Sequence, residues 1–455
     1  MRMSPEERIR RSWQRLAVVW ALYYFAAFTL GQIPQFVQRT IWMGAGLVAV
    51  ATVPVLWRHI RLRDLPREGV LLMGFSLWAM LGGIFVTDAA MFRLFLKLVL
   101  ELTMIVTVLS LVMERSGSMH WLYLAYFGVA IFRVVYGQGP ISFDRIADTR
   151  VVERIAGANA VGFYCVLGII GMLALMQEVK SLWLRGGLAA GGVIALYGVV
   201  LSASRGAFVA LIATAVLWPV LCMVGGSKDK SKAVVGALVV LVLAYWMFQF
   251  VVESTYLGVR FTNATQLEDG SSQTRLELFL TGLRVFAQNP IFGTGLGQFG
   301  VVSRTGHYAH NEFAEIIATT GLPGFLMYFS IYLLVWRRLT GCLRRVADPL
   351  IGYRINMARL IVLILVLSGF LSRPNFIAQD TMFLLGLVVG VSHWAERTVR
   401  LAAGQGAAAV APAWAATGWE APGWGPPAPA GWGAGFSGSP MVPAASGLPA
   451  FNRRT

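Results

Sequence analysis

Charge is scarce in this chain. Only 13% of its 455 residues are Asp, Glu, Lys or Arg, about half the share a soluble domain carries. With 57% hydrophobic residues and a mean hydropathy of +0.65, that scarcity excludes an ordinary soluble globular protein. Cysteine is nearly absent too. Cys165, Cys222 and Cys342 stand alone, without CxxC or metal-ligand spacing, which excludes a disulfide framework and a cysteine-built zinc site. No glycine loop of the P-loop type is present. Acids are outnumbered 22 to 38 by Lys and Arg, giving a net charge of +16. In a chain this apolar the excess reads as orientation by the positive-inside rule, not as a nucleic-acid surface.

What the sequence does have is apolar length. Runs of about 17–20 residues, each able to cross a hydrocarbon core of about 30 Å, recur almost from end to end. They predict an all-α polytopic membrane protein of about twelve transmembrane helices, near 15–32, 40–57, 69–86, 94–113, 119–136, 159–176, 186–202, 206–224, 233–251, 313–336, 356–372 and 381–395. The first run follows Arg8, Arg10, Arg11 and Arg15 as a signal peptide would, but it leads straight into further runs. It reads as a retained first helix. With both termini inside, Arg58, Arg61, Arg63, Lys228, Lys230, Lys232, Arg337 and Arg338 face inward. Lys and Arg are then roughly twice as abundant inside as outside, the asymmetry that orientation requires. Residues 1–14 form an inner N-terminus and 15–400 the membrane domain, with one long outer loop at 252–312. Residues 401–455 form an Ala/Gly/Pro/Trp-rich inner tail, expected to be disordered.

Three polar islands share the outer side under that topology. Ser202-Ala-Ser-Arg205-Gly206 is a turn between two spans. Arg205 there either offers its planar fork of donors to phosphate oxygens or snorkels to headgroups as an interfacial arginine. In the long loop, Leu276, Phe279, Leu280, Leu283 and Phe286 recur at helical spacing and predict an amphipathic helix along the membrane surface. Thr274-Arg-Leu-Glu277 fits its capping box and Asn289-Pro290 its stop. Arg275 would then occupy the first turn, where the helix dipole disfavours a cation and the two together call for an anion. The alternative is a solvated arginine. Gly293-Thr-Gly-Leu-Gly297 reads as a flexible turn.

The third island holds two of the five histidines, in Gly306-His307-Tyr-Ala-His310-Asn311-Glu312-Phe-Ala-Glu315, and Gly321-Leu-Pro-Gly324 follows it. Imidazole titrates near neutral pH unaided, which makes His310 the proton-transfer candidate, with His307 or Glu315 to orient it. A metal held by His307, His310 and an acid, or a plain structural histidine, are the alternatives; HxxH lacks the HExxH spacing. Asn311 and the Gly321/Gly324 pair read as the polar head and break of a re-entrant or interfacial helix. Asn159 opens the sixth span at the outer face, placed to hydrogen-bond a substrate. Arg133 lies in the outer half of the fifth span, and Lys97 and Glu101 are spaced i,i+4 in the fourth. Such charges are either functional or form an ion pair that holds helices in register.

Together these residues resemble the O-antigen ligase/O-antigen polymerase superfamily of bacterial envelope glycosyltransferases. The resemblance covers roughly 150–340 and rests on Arg154-Ile-Ala-Gly-Ala-Asn159, Leu201-Ser-Ala-Ser-Arg205-Gly-Ala, Arg275 leading to Pro290-Ile-Phe-Gly-Thr-Gly-Leu-Gly297, and His310-Asn311 before Gly321-Leu-Pro-Gly324. It implies a GT-C-like inverting transferase of the bacterial inner membrane, active at the periplasmic face and needing no metal or other cofactor. The donor it implies is a glycan on undecaprenyl pyrophosphate. The acceptor is a lipid A-core hydroxyl for a ligase, or another lipid-linked glycan for an O-antigen or exopolysaccharide polymerase. By position, Arg205 and Arg275 match the family arginines that hold pyrophosphate, and His310 the histidine that activates the acceptor. Transfer to protein serine is a related option. Polysaccharide transport is the reading from another class, disfavoured because transporter sites lie near the midplane whereas these residues gather on one face.

Overall fold

The computed structural model describes residues 4–29, 37–137, 158–224, 248–259, 270–306, 308–371 and 375–404, with isolated positions between 238 and 246. Among these residues the fold is all-helical. In chain order come α1 (Pro5–Thr29), α2 (Val37–His59), α3 (Arg67–Leu81), α4 (Ala89–Ser116), α5 (His120–Gly137) and α6 (Ala158–Glu178). They are followed by α7 (Leu182–Leu201), α8 (Arg205–Val224), α9 (Gly270–Gln288), α10 (Glu312–Leu343), α11 (Pro349–Leu371) and α12 (Gln379–Gly404). Six helices, α4, α6, α7, α8, α10 and α11, are long and apolar enough to cross a membrane. This is a multi-pass membrane protein. Helices α1, α2, α3, α5 and α12 fall on other expected spans but do not meet that measure; α3 has 15 residues and gives way to a 3-10 turn at Gly82–Phe85. Most of the expected span 233–251, residues 138–157 and the residues beyond 404 lie outside the described residues.

Local chemistry sets the helix ends. Asp88 caps α4, its Oδ1 accepting from the Ala90 and Met91 N–H groups at 2.9 and 3.0 Å, which satisfies donors with no partner inside the helix. At the other end Gly117 turns left-handed and its N–H closes on the Met113 carbonyl, the usual glycine stop. One helix overruns its expected end. α10 continues past the expected end at 336 to Leu343, so Arg337, Arg338 and Cys342 lie on the helix. The reason is a buried charged node. Glu68, fully buried at the start of α3, accepts from Arg338 Nη1 at 2.5 Å and pairs with His393 Nε2 of α12 at 2.8 Å. Arg338 Nε also meets Glu396 at 3.2 Å.

Side-chain pairs then show which helix ends meet. Arg354, early in α11, pairs with Glu178 at the end of α6 at 2.8 Å, and Tyr353 Oη donates to the Leu173 carbonyl at 2.6 Å. Thus α6 and α11 run in opposite senses, and the start of α6 shares an end of the bundle with the finish of α11. Ser204, just before α8, donates to Asn159 Oδ1 at the start of α6 at 2.9 Å. One main apolar core runs through the helices, and a smaller one joins Leu278 and Val285 of α9 to Phe299, Ala309, Ala314 and Ala318.

Candidate functional site

The turn before α8 is built by its own serines. Ser202 Oγ donates to the Val199 carbonyl at 2.7 Å and accepts from the Ser204 N–H at 3.3 Å. Ser204 Oγ accepts from the Ala207 N–H at 3.3 Å and so caps α8. Both serines are buried, and Ala203 between them is left-handed at φ 48°. Arg205 is thereby set, half-buried, as the first residue of α8. There its charge adds to the positive end of the helix dipole, and an anion relieves both.

That environment was expected for Arg275, and the structure corrects it. α9 begins at Gly270, not at Thr274, so Arg275 lies beyond the first turn. Its Nη1 donates to the carbonyl of Leu371, the last residue of α11, at 3.4 Å. The predicted single apolar face of α9 is in fact two. Leu278 and Val285 are buried against α10, whereas Leu276, Leu280 and Leu283 are exposed on another face. The helix does stop at Gln288, before Asn289-Pro290.

Gly321 breaks α10. It sits at φ 67°, ψ −173°, and a Cβ there would run into the Ile291 carbonyl; this region of backbone space is essentially reserved for glycine. The carbonyls released by the break are taken by the glycine loop. Thr294 N–H donates to Ala318 O at 3.0 Å, Gly295 N–H to Thr319 O at 2.9 Å, and Leu322 N–H returns to Pro290 O at 2.8 Å. Trp78 Nε1 of α3 completes the set on Thr320 O at 2.9 Å, its ring stacked on Phe292. Residues 290–297 are therefore docked, not a flexible turn. Gln298, fully buried, extends the lock: its Oε1 accepts from the Thr87 and Asp88 N–H groups, and its Nε2 donates to the Asp88 carbonyl at 2.8 Å. The start of α4 belongs to this same end of the bundle.

Just ahead of α10, Asn311 is the N-cap. Its Oδ1 accepts from the Ala314 N–H at 3.1 Å and its Nδ2 donates to the Phe370 carbonyl at 3.0 Å. His310 precedes it in the left-handed region at φ 51°, its ring centroid 4.1 Å from that of Tyr308. Three non-glycine residues have positive φ among the described residues, and two of them, Ala203 and His310, are at or beside candidate positions. Such strain concentrates at functional sites. Glu315, buried, acts on the backbone: its Oε2 accepts from the Ala309 N–H at 2.7 Å, one residue before His310. Glu312, also buried, accepts from Tyr328 Oη at 2.9 Å, Phe376 N–H at 2.8 Å and Asn375 Nδ2 at 3.0 Å. His307 lies outside the described residues.

The remaining candidates lie apart. Arg133 is 3% exposed, with its guanidinium 3.9 Å above the Tyr164 ring, and its Nε and Nη1 find no hydrogen-bond partner among the described residues. Lys97 and Glu101 pair at 3.7 Å on an outer face of α4, with Lys97 57% exposed. They do not form a buried bridge between helices. Among the described residues no group of three or more His, Cys, Asp or Glu stands ready to hold a metal ion. Sequence reasoning missed Trp78, Gln298, Glu68 and the tether role of Glu312. Only Glu312 carried a signal, its place in an acidic pair behind His310.

Fold and site thus describe a multi-pass helical membrane protein that gathers Arg275, Asn311 and His310 at the finish of α11, at the same end as Asn159, Ser204 and Arg205. Residues 190–329 match the family model described as O-antigen ligase. That match supports a place for the chain in the O-antigen ligase/polymerase superfamily. Arg205, Arg275 and His310 fall inside the matched stretch, Arg133 and Asn159 outside it. No curated protein matches the chain.

Proposed function

We propose that the protein is a glycosyltransferase of the O-antigen ligase type. It moves a glycan from undecaprenyl pyrophosphate to an acceptor hydroxyl, a lipid A-core sugar, at the periplasmic face of the inner membrane. The observation that carries this reading is the meeting of Arg275 and Asn311 on consecutive carbonyls of α11, with His310 beside Asn311. Arg205 stands at the same end of the bundle.

In this mechanism the acceptor oxygen attacks the anomeric carbon from the face opposite the pyrophosphate, inverting it. The bond from that carbon to the pyrophosphate oxygen breaks, its electron pair leaves with the lipid pyrophosphate, and the hydroxyl proton passes to His310. Charge grows on phosphate oxygens as the bond breaks, so Arg205 and Arg275 stabilise the transition state more than the ground state. The glycosyl–pyrophosphate bond supplies the driving force, and no nucleotide enters. Asn159, Asn311 and Glu315 support the site; His307 and Arg133 are further supporting candidates.

The test is a gel of envelope glycolipid from a deletion strain, complemented with wild type or His310→Ala. Core without O-chain, with polymer retained on undecaprenyl pyrophosphate, is the expected result for both the deletion and His310→Ala. Core bearing a single repeat unit would assign repeat-unit polymerisation instead. Normal transfer by His310→Ala would remove the proposed base.

A further inference from the structure

α4 carries a charged stripe that the transfer chemistry does not use. Arg93, Lys97, Leu100, Glu101 and Met104 follow i, i+4, i+7, i+8 and i+11, so they share one face of the 28-residue helix. Among the described residues that face is uncovered, with Leu100 50% and Met104 59% exposed, while Val99, Leu102 and Val106 on the other side are buried. With Leu96 these residues line a groove of about 370 Å³. An uncovered face on so apolar a span meets lipid, and ionised side chains facing hydrocarbon are costly unless something answers them.

Depth and sign indicate what does. α4 starts at Asp88, at the end of the bundle that carries the site. At 1.5 Å per residue, Arg93 and Lys97 stand about 8 and 14 Å from that start. Helical side chains lean toward the N-terminus, so both cations tilt toward the headgroup layer. Glu101 is engaged by Lys97 at 3.7 Å and by Gln379 Nε2 at 3.3 Å. Arg93 makes one hydrogen bond among the described residues, from Nε to the Ala89 carbonyl at 3.1 Å. The outer prongs of its fork are thus presented to an oxygen-rich anion, with Leu96, Leu100 and Met104 beneath them offering an apolar track.

We infer that this groove binds an anionic membrane lipid, its phosphate against Arg93 and Lys97 and its acyl chain along Leu96, Leu100 and Met104. α4 packs mainly on α12, α1 and α3, whereas Arg205, Arg275 and His310 belong to α8, α9 and the segment before α10. The lipid site is therefore built from residues the transfer site does not use.

Native mass spectrometry of the full chain, titrated with phosphatidylglycerol or phosphatidylcholine, tests it. The expected result is preferential retention of phosphatidylglycerol, weakened about fivefold for each cation removed in Arg93→Gln and Lys97→Gln. Arg185→Gln removes an exposed cation at the opposite end, where its Nε reaches the Val179 carbonyl, and leaves retention unchanged. Should the charge variants fail to fold, Leu100→Trp fills the groove with the cations intact and displaces the lipid. Equal retention of both lipids, or undiminished phosphatidylglycerol binding in a folded double or groove-filled variant, overturns the inference. A dimer that these substitutions dissociate would also overturn it, in favour of a second copy of the chain.

Discussion

Arg275 and Asn311 donate to neighbouring carbonyls, Leu371 and Phe370, at the finish of α11. One side chain comes from the helix of the long loop and the other from the cap of α10. Both are referenced to consecutive carbonyls of one helix end, so the loop helix and the His310 segment keep a common register.

That register makes Arg275 sensitive to shape as well as charge. Lysine keeps the charge but lacks the planar fork that reaches a carbonyl and a phosphate together. Arg275→Lys is expected to lower transfer about 10-fold and Arg275→Ala about 100-fold, the scale of losing one donor to a developing anion. A transfer assay with purified lipid-linked donor measures both, with thermal unfolding as the check on folding.

Glu315 separates positioning from proton transfer. Its carboxylate accepts from the Ala309 N–H, a task that the amide oxygen of glutamine also performs. Glu315→Gln should stay within a few-fold of wild type. Glu315→Ala strands a buried N–H at a cost of about 1–3 kcal/mol and releases the backbone before His310. Its kcat is expected to fall at least about tenfold with donor KM little changed. Equal activity of the two variants would argue against this role.

Gly321→Ala tests the break in α10. The substitution forces an L-residue into glycine-only backbone space and against the Ile291 carbonyl. A loss of about 3 kcal/mol or more is expected, read as a lower unfolding temperature in detergent.

The node at the other end of the bundle should behave differently. Removing one partner of a buried ion pair costs about 3–5 kcal/mol, while removing both leaves no stranded charge. Glu68→Gln and Arg338→Met are each expected to lower stability. The double variant should lose less than the sum of the two, because the residues are in contact. Thermal unfolding of the four proteins closes the cycle, and transfer by the folded fraction should be unchanged.

The sequence revealed most where the cause is local. Apolar runs of bilayer length announced the six helices long and apolar enough to cross a membrane, and Asn289-Pro290 announced the end of α9. It revealed least where the partner is remote. Arg338 falls past the expected end of its span at 336, and only Glu68 and His393, far away in the chain, mark it as a helical, part-buried residue. Gln298 has no neighbouring pattern at all, because its partners Thr87 and Asp88 lie in another part of the chain. The spacing of Lys97 and Glu101 was plain, but spacing cannot say which face a helix turns to its neighbours. The dipole argument made for Arg275 was sound chemistry at the wrong residue. A capping box marks where a helix can start, yet α9 is held along its side by Leu278 and Val285 and begins earlier.

A broken membrane helix invites the idea of a hinge, and the break at Gly321 argues the other way. Bending there would strip Thr294, Gly295 and Trp78 from three carbonyls at once. The opening turns of α10, the docked glycine loop and the head of α4 therefore form one stiff jaw. His310, one residue ahead of the Asn311 cap, is therefore carried on a backbone fixed from behind.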